Sequence, residues 1–209
     1  MGRFKITGPR GGLIGRGTVK AVAKALPRLL ARFKRIRIEP DANPKPKPAV
    51  TMYDSVTPSA IPLKARAVAG YVNGRRETYP QLRKQFPHAK VLSVAVSADR
   101  DADCLDVEPG DAQPAQAAGW VKRQRARGLA RPAVYCSVSA APAVLAGLAK
   151  NGIGRADIRL WTAHYTGKPH RCTLAACGYD CGGAADATQY TDRALGRNLD
   201  ASLCSPEFF

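Results

Sequence analysis

The run Cys104-Leu-Asp-Val-Glu-Pro-Gly-Asp111 reads as an apolar strand that delivers two carboxylates into a turn. Side chains alternate along a strand, so Asp106 and Glu108 project from one face. Two acids held side by side cannot both ionise freely, so one pKa rises while the other stays low. That split sets a proton donor beside an anion, as hydrolysis of a glycosidic bond requires. A surface Asp-x-Glu or a calcium-binding edge would show the same residues without catalysis.

The elements that must position this pair begin near residue 49. Short apolar segments there alternate with helical stretches: Val50–Tyr53, Ala67–Val72, Lys90–Val96, Cys104–Val107, Ala133–Cys136, Ile158–Ala163 and Ala187–Tyr190, with Asn198–Leu203 as an eighth. Thr78 can cap a helix with Pro80 in its first turn and Pro87 as its stop. Asp111 can cap a second that carries Pro114 and ends at Gly128. Ser139 can cap a third, with Pro142 early, Leu145 and Leu148 inward, and Gly152 at the end. Strand–helix alternation at this spacing predicts a parallel sheet, and this many strands favour a closed barrel over an open sheet. The segment is short for an eight-fold barrel, which usually needs about 200 residues or more, so some helices must be reduced to loops. The fold class expected is α/β, a reduced (β/α) TIM-type barrel over residues 50–209.

A basic arm precedes it. The chain carries a net charge of +17, and residues 1–50 hold 13 Lys/Arg against 2 Asp/Glu. Residues 1–17 are rich in Gly and Arg and read as flexible. Thr18 can cap a helix running to Arg37, with Val19, Val22, Leu26, Leu29, Leu30 and Phe33 near one face and Pro27 kinking it. Residues 1–40 are thus a basic, partly helical arm, and Asp41-Ala-Asn-Pro-Lys-Pro-Lys-Pro48 opens a stiff Pro/Lys linker over 41–49. The arm suits an anionic partner: an anionic wall polymer, a membrane surface or nucleic acid. A helix packed on the domain with a solvated basic face is the alternative.

No apolar run approaches the length of about 20 residues that a membrane span needs. The stretch 21–33 is broken by Lys24, Pro27, Arg28 and Arg32, so no Sec signal is read there and synthesis in the cytoplasm is expected. Gly11-Gly12-Leu-Ile-Gly15 lacks the strand and the Lys-Ser/Thr of a nucleotide loop, and no G-x-S-x-G occurs.

In a parallel barrel, chemistry sits at the carboxyl ends of the strands. Those ends carry Tyr53-Asp54, Asp106 and Glu108, His164-Tyr165, Gln189-Tyr190 and, at the last strand, Asn198-Leu199-Asp200. Carboxylates with aromatic rings suit a sugar, whose C–H faces stack on rings. Tyr53-Asp54-Ser, Leu105-Asp106-Val-Glu108, Thr188-Gln189-Tyr190 and Asn198-Leu199-Asp200 resemble the sequential landmarks of glycoside hydrolase family 25 lysozymes. More closely, they resemble the glycoside-hydrolase-like domain of actinobacterial and actinophage proteins. The likeness covers residues 51–204.

The resemblance implies a (β/α) barrel with few helices that cleaves the β-1,4 bond between N-acetylmuramic acid and N-acetylglucosamine. Glu108 would then be the general acid. Asp106 would stabilise positive charge or assist the neighbouring acetamido group, and Asp54 and Asp200 would complete the acidic floor. Tyr53, Tyr165 and Tyr190 would be sugar platforms, with Gln189 and His164 also at the substrate. The implied partner is peptidoglycan or another cell-wall glycan, with action at the wall or within a phage particle, among other virion proteins. A non-catalytic glycan-binding or virion structural role on the same barrel is the alternative. No cofactor is implied.

His170-x-Cys172-x4-Cys177-x3-Cys181 forms a second cluster in a Gly-rich loop. Its ligand types suit zinc, but the spacing is not a paired C-x2-C. A loop disulfide is the favoured reading, with zinc and free thiols as alternatives. Cys104 and Cys136 fall in strands and Trp120 on a helix, all as core residues.

Overall fold

Arg3-Phe4-Lys5-Ile6-Thr7 alternates polar with apolar residues, the period of a strand rather than of a flexible tail. The computed structural model describes residues 48–209 throughout and, before them, residues 3–7, 13–18, 24, 27–28 and 37–40. The chain divides into two compact units, Met1–Lys47 and Pro48–Phe209. In the first, β1 (Arg3–Thr7) pairs antiparallel with β2 (Leu13–Thr18) and with β3 (Arg37–Pro40). This three-stranded sheet corrects the expectation of a flexible 1–17 segment: the Gly and Arg around it conceal the alternation. Thr18 ends β2 and Arg37 opens β3. Lys24, Pro27 and Arg28 are helical; the rest of the expected helix, and residues 41–47 of the linker, lie outside the described residues.

The second unit closes eight strands into a barrel. They are β4 (Val50–Asp54), β5 (Ala67–Tyr71), β6 (Lys90–Ala95), β7 (Cys104–Asp106), β8 (Ala133–Ser137), β9 (Arg159–Ala163), β10 (Ala187–Thr191) and β11 (Asp200–Cys204). Neighbours from β4 to β10 run parallel, so those strands end at one rim. β11 is antiparallel to both β10 and β4, which departs from the all-parallel expectation. A parallel return needs a crossover of about a dozen residues or more, and only 192–199 lie between β10 and β11. Asp200 therefore begins its strand at the rim where the others end, in register with Asp54.

Helices are unevenly supplied. α1 (Tyr79–Gln85) joins β5 to β6, α2 (Pro114–Ala126) joins β7 to β8, α3 (Ala141–Lys150) joins β8 to β9, and the four-residue α4 (Leu174–Cys177) lies between β9 and β10. Proline sits in the first turn of α1, α2 and α3, as read from the sequence. Their caps differ from expectation. Thr78 is the N-cap residue of α1 as expected, but its Oγ1 accepts from Tyr71 N rather than from a helix N–H. Gln113, not Asp111, caps α2, its N–H donating to Gln116 Oε1 at 2.8 Å. Ala140, not Ser139, precedes α3, and Ser137 Oγ accepts its N–H. In each case a proline fixes the start of the helix, and a hydroxyl or carboxyl nearby is free for other work.

Period-two alternation sorts the strand residues into two apolar cores. Met52, Ala67, Ala69, Leu92, Val94, Cys104, Tyr135, Trp161, Ala187 and Cys204 fill the barrel interior. Leu105, Val134, Cys136 and Leu160 face outward onto Trp120, Val121, Val144 and Leu148 of α2 and α3. Each large buried apolar side chain contributes about 1.5–3 kcal/mol. Trp120 is 1% exposed and donates its indole N–H to Arg100 O at 2.8 Å, a core residue as expected.

Asp186 pins the outer face of β9 and β10. It accepts from Arg155 at 2.7 Å, Arg131 at 3.0 Å and Leu160 N at 2.9 Å. Removing Asp186 leaves the Leu160 N–H without this acceptor and takes the counter-charge from two guanidiniums, which keep only backbone carbonyls. Asp186→Ala is expected to lower stability by about 2–3 kcal/mol in urea melts; an unchanged midpoint would mean the trio contributes nothing.

Candidate active site

The alternation that builds the interior also selects which polar residues meet there. Two positions beyond Met52 lies Asp54, beyond Cys104 lies Asp106, beyond Ala133 lies Tyr135 and beyond Ala187 lies Gln189. Asp54 is 5% exposed, Asp106 3% and Gln189 3%. Glu108 follows Asp106 at the next same-face position and is only half-buried, on a turn closed by Asp111 N donating to Glu108 O, while Val107 N donates to Tyr135 O of the neighbouring strand. Gly110, at φ +98°, supplies the left-handed residue that this turn requires. The reversed β11 adds Asp200. Four carboxylates thus share one end of the barrel.

Their electrostatics are uneven. Burial first, then the charges of Glu108 and Asp111, push Asp106 from the ordinary 3.8 up to about 8. Burial, with Asp200, Asp106 and Glu108 nearby, holds Asp54 well above the usual carboxylate range. Glu108 is raised by burial, then by Asp111 and Asp200. Asp200 is raised by burial as well, but hydrogen bonds from Asp54 and Gln189 favour its anion. Of this pair, Asp54 is the one held furthest toward its protonated form, and Asp200 the one whose anion hydrogen bonding favours. Among the described residues, Asp54 Oδ2 and Asp106 Oδ1 are buried with no hydrogen-bond partner. Such atoms are uncommon in folded proteins and concentrate where function needs them.

A hydrogen-bonded wall stands beside the acids. Tyr135 OH donates to Gln189 Oε1 at 2.9 Å, and Gln189 Nε2 donates to Tyr165 OH at 3.0 Å. Trp161 packs on Tyr135 with centroids 4.5 Å apart and donates to Ser202 Oγ at 3.0 Å. Tyr165 is 56% exposed at the rim, and burial with nearby Asp200 and Glu108 lifts its phenol to about 12. A cavity of about 560 Å³ opens over Asp106 and Glu108, walled by Tyr71, Asp111, Arg75 and Arg76. That volume suits a small glycan segment. Asn73 Oδ1 accepts from Val96 N at 3.0 Å, and Gly74 at φ +90° turns the chain so that the two arginines reach the wall.

Of the residues read from the sequence, Asp54, Asp106, Glu108, Asp200, Gln189 and Tyr165 come together. Tyr53 does not. It lies between inward Met52 and Asp54, so it faces outward and packs near Ile61, Val68 and Leu82. Tyr190, next to inward Gln189, has its phenol raised by burial and then by neighbouring Tyr53, not by the four acids. His164 is also drawn elsewhere: its Nδ1 lies 3.0 Å from His170 Nε2. Cys172 and Cys177 form a disulfide, their Cα atoms 5.6 Å apart. Cys181 is not a member of that group; it is a buried free thiol beside Cys136, in the apolar core under α2 and α3. Sequence reasoning missed Tyr71, Tyr135, Ser202, Arg75 and Arg76. Inward parity at strand ends would have found the two tyrosines.

The chain matches no family model, no curated protein and no solved structure.

Proposed function

We propose that the second unit is a glycoside hydrolase acting on peptidoglycan, on a reduced (β/α) TIM-type barrel. The observation that carries this reading is the convergence of Asp54, Asp106, Glu108 and Asp200 at one end of the barrel, with unequal proton affinities and with Asp106 and Glu108 lining the cavity. Of the two strand-end acids that line the cavity, both with raised pKa values, Glu108 is half-buried where Asp106 is enclosed, so Glu108 is the one that reaches the leaving oxygen and protonates it. Asp200, whose anion is favoured by hydrogen bonds from Asp54 and Gln189, faces developing positive charge. Asp106, neutral and with an unpartnered buried oxygen, accepts a hydrogen bond from the substrate, for which the acetamido N–H is suited. Tyr165, held by Gln189, offers an exposed ring to a sugar face. Arg75 and Arg76 on the cavity wall favour an acidic glycan such as one bearing lactyl or peptide carboxylates. The basic first unit would draw the barrel to an anionic wall.

Incubation with purified peptidoglycan tests this. Soluble reducing ends are expected from the intact protein, and more slowly as salt rises. Co-sedimentation with the wall without release would replace hydrolysis by glycan binding. Neither release nor binding would remove the wall as the partner.

A further inference from the structure

The loop between β9 and β10 brings four donor atoms to one point. One each from His164, His170, Cys172 and Cys177, all lie within 4.8 Å of one another. His164 Nδ1 is 3.0 Å from His170 Nε2, and Cys172 Sγ is 3.7 Å from the same nitrogen. A tetrahedral zinc with Zn–N of about 2.0–2.1 Å and Zn–S of about 2.3 Å spaces its ligand atoms about 3.3–3.8 Å apart. The cluster is therefore within a few tenths of an ångström of that geometry at both measured edges.

A disulfide alone accounts poorly for the two imidazoles. Its sulfurs are weak acceptors and gain little from ring nitrogens aimed at them. The tautomer of His170 points the same way. Its Nδ1 lies 2.9 Å from Lys168 O, which can only accept, so Nδ1 carries the proton and the Nε2 lone pair faces His164 and Cys172. A backbone carbonyl holding the far ring N–H is the usual support of a metal-bound histidine. The frame is rigid. His164 N donates to Gln189 O at 2.9 Å, Cys172 N to Thr188 Oγ1 at 2.9 Å, and Ala185 N to Cys172 O at 2.8 Å. Cys177 ends α4, whose first turn is capped by Thr173 Oγ1 accepting from Ala176 N.

We infer that the reduced chain binds one zinc(II) through His164 Nδ1, His170 Nε2, Cys172 Sγ and Cys177 Sγ. Two thiolates balance the charge of the ion, and their two protons are released on binding. The disulfide uses both sulfur ligands, so zinc and the Cys172–Cys177 bond exclude each other. A water-soluble phosphine converts one to the other: it gives two electrons to the S–S bond, takes an oxygen from water to become the phosphine oxide, and leaves two thiols. The ion would fasten the loop that begins at the rim with Tyr165.

The test uses the full chain, with and without phosphine, and zinc chloride alone as the probe. One zinc per chain is expected after reduction and none in the disulfide form. Cobalt(II) in its place should give the visible bands of a tetrahedral thiolate-bound ion. His170→Ala and Cys177→Ser should each weaken zinc by at least about 100-fold, beyond the 10–100-fold that loss of a supporting group causes. His88→Ala, exposed and outside the loop, should bind as the parent does. Circular dichroism checks folding, and if Cys177→Ser does not fold, His170→Ala decides. No zinc on the reduced parent, or zinc that His170→Ala retains while Glu108→Gln loses it, would overturn the site.

Discussion

Glu108→Gln is expected to slow glycan cleavage by about 10²–10⁴-fold while leaving wall binding within a few-fold of the parent, since a general acid contributes on that scale to the transition state. Gln keeps the shape and hydrogen-bonding reach of the side chain but has no proton to give to the leaving oxygen. The pH dependence carries the sharper information. Burial, then Asp111 and Asp200, raise the pKa of Glu108 above its ordinary 4.5. A general acid works while protonated and Asp200 while ionised, so the parent rate should be bell-shaped, with an alkaline limb that falls as pH rises through the elevated value of Glu108. The variant should lose this alkaline limb and keep a slow residue of activity. If the limb instead falls near pH 8 and Asp106→Asn removes it, the proton comes from Asp106, whose pKa is pushed up to about 8. Full activity in both variants would place the chemistry elsewhere. Rates of reducing-end release across pH 4–9 separate the three outcomes.

The barrel was legible because its strands are bounded by turns and filled with β-branched and small apolar residues. Each sequence-read strand from 50 onward overlaps an observed one. Two kinds of information were missing. The direction of β11 depends on how few residues separate it from β10, a length that periodicity does not weigh. Which side chains enter the interior depends on parity, and parity is fixed only once one inward residue is known. With Met52 inward, Tyr53 is outward and Asp54 inward, so the expected platform lies away from the interior and the expected acid within it. The same rule applied to β5 and β8 selects Tyr71 and Tyr135, absent from the sequence-read site. His164 shows a different limit. At a strand end it reads as a rim residue, and only the path of the 164–177 loop brings it against His170 and the two cysteines.

Asp106→Asn should stabilise the second unit at pH 7 by about 2–4 kcal/mol, the opposite of what loss of a buried hydrogen-bonding acid ordinarily does. The sign follows from proton binding. Asp106 in the folded protein has a pKa of about 8 against the ordinary 3.8, because burial and the charges of Glu108 and Asp111 oppose its ionisation. Below the ordinary value both folded and unfolded chains are protonated, and the folded state is at its most favoured. As pH rises, the unfolded chain releases its proton first, so stability is lost progressively until the folded carboxyl ionises as well near pH 8. Each pH unit in that window costs about 1.4 kcal/mol. Most of the window has been crossed at pH 7, and local relaxation trims the full figure to the range stated. Asn has the same volume and no charge to lose, and its amide can donate where a carboxylate cannot. Urea midpoints at pH 4, 5.5, 7 and 8 should therefore fall less steeply for the variant than for the parent, with the curves converging at the acidic end. A variant less stable than the parent at every pH would mean that Asp106 is ionised and satisfied in the folded state. Asp54, held high by burial and by Asp200, should behave in the same direction. A site that stabilises the fold when its acids are neutralised, and loses glycan turnover in the same variants, keeps those acids for chemistry rather than for structure.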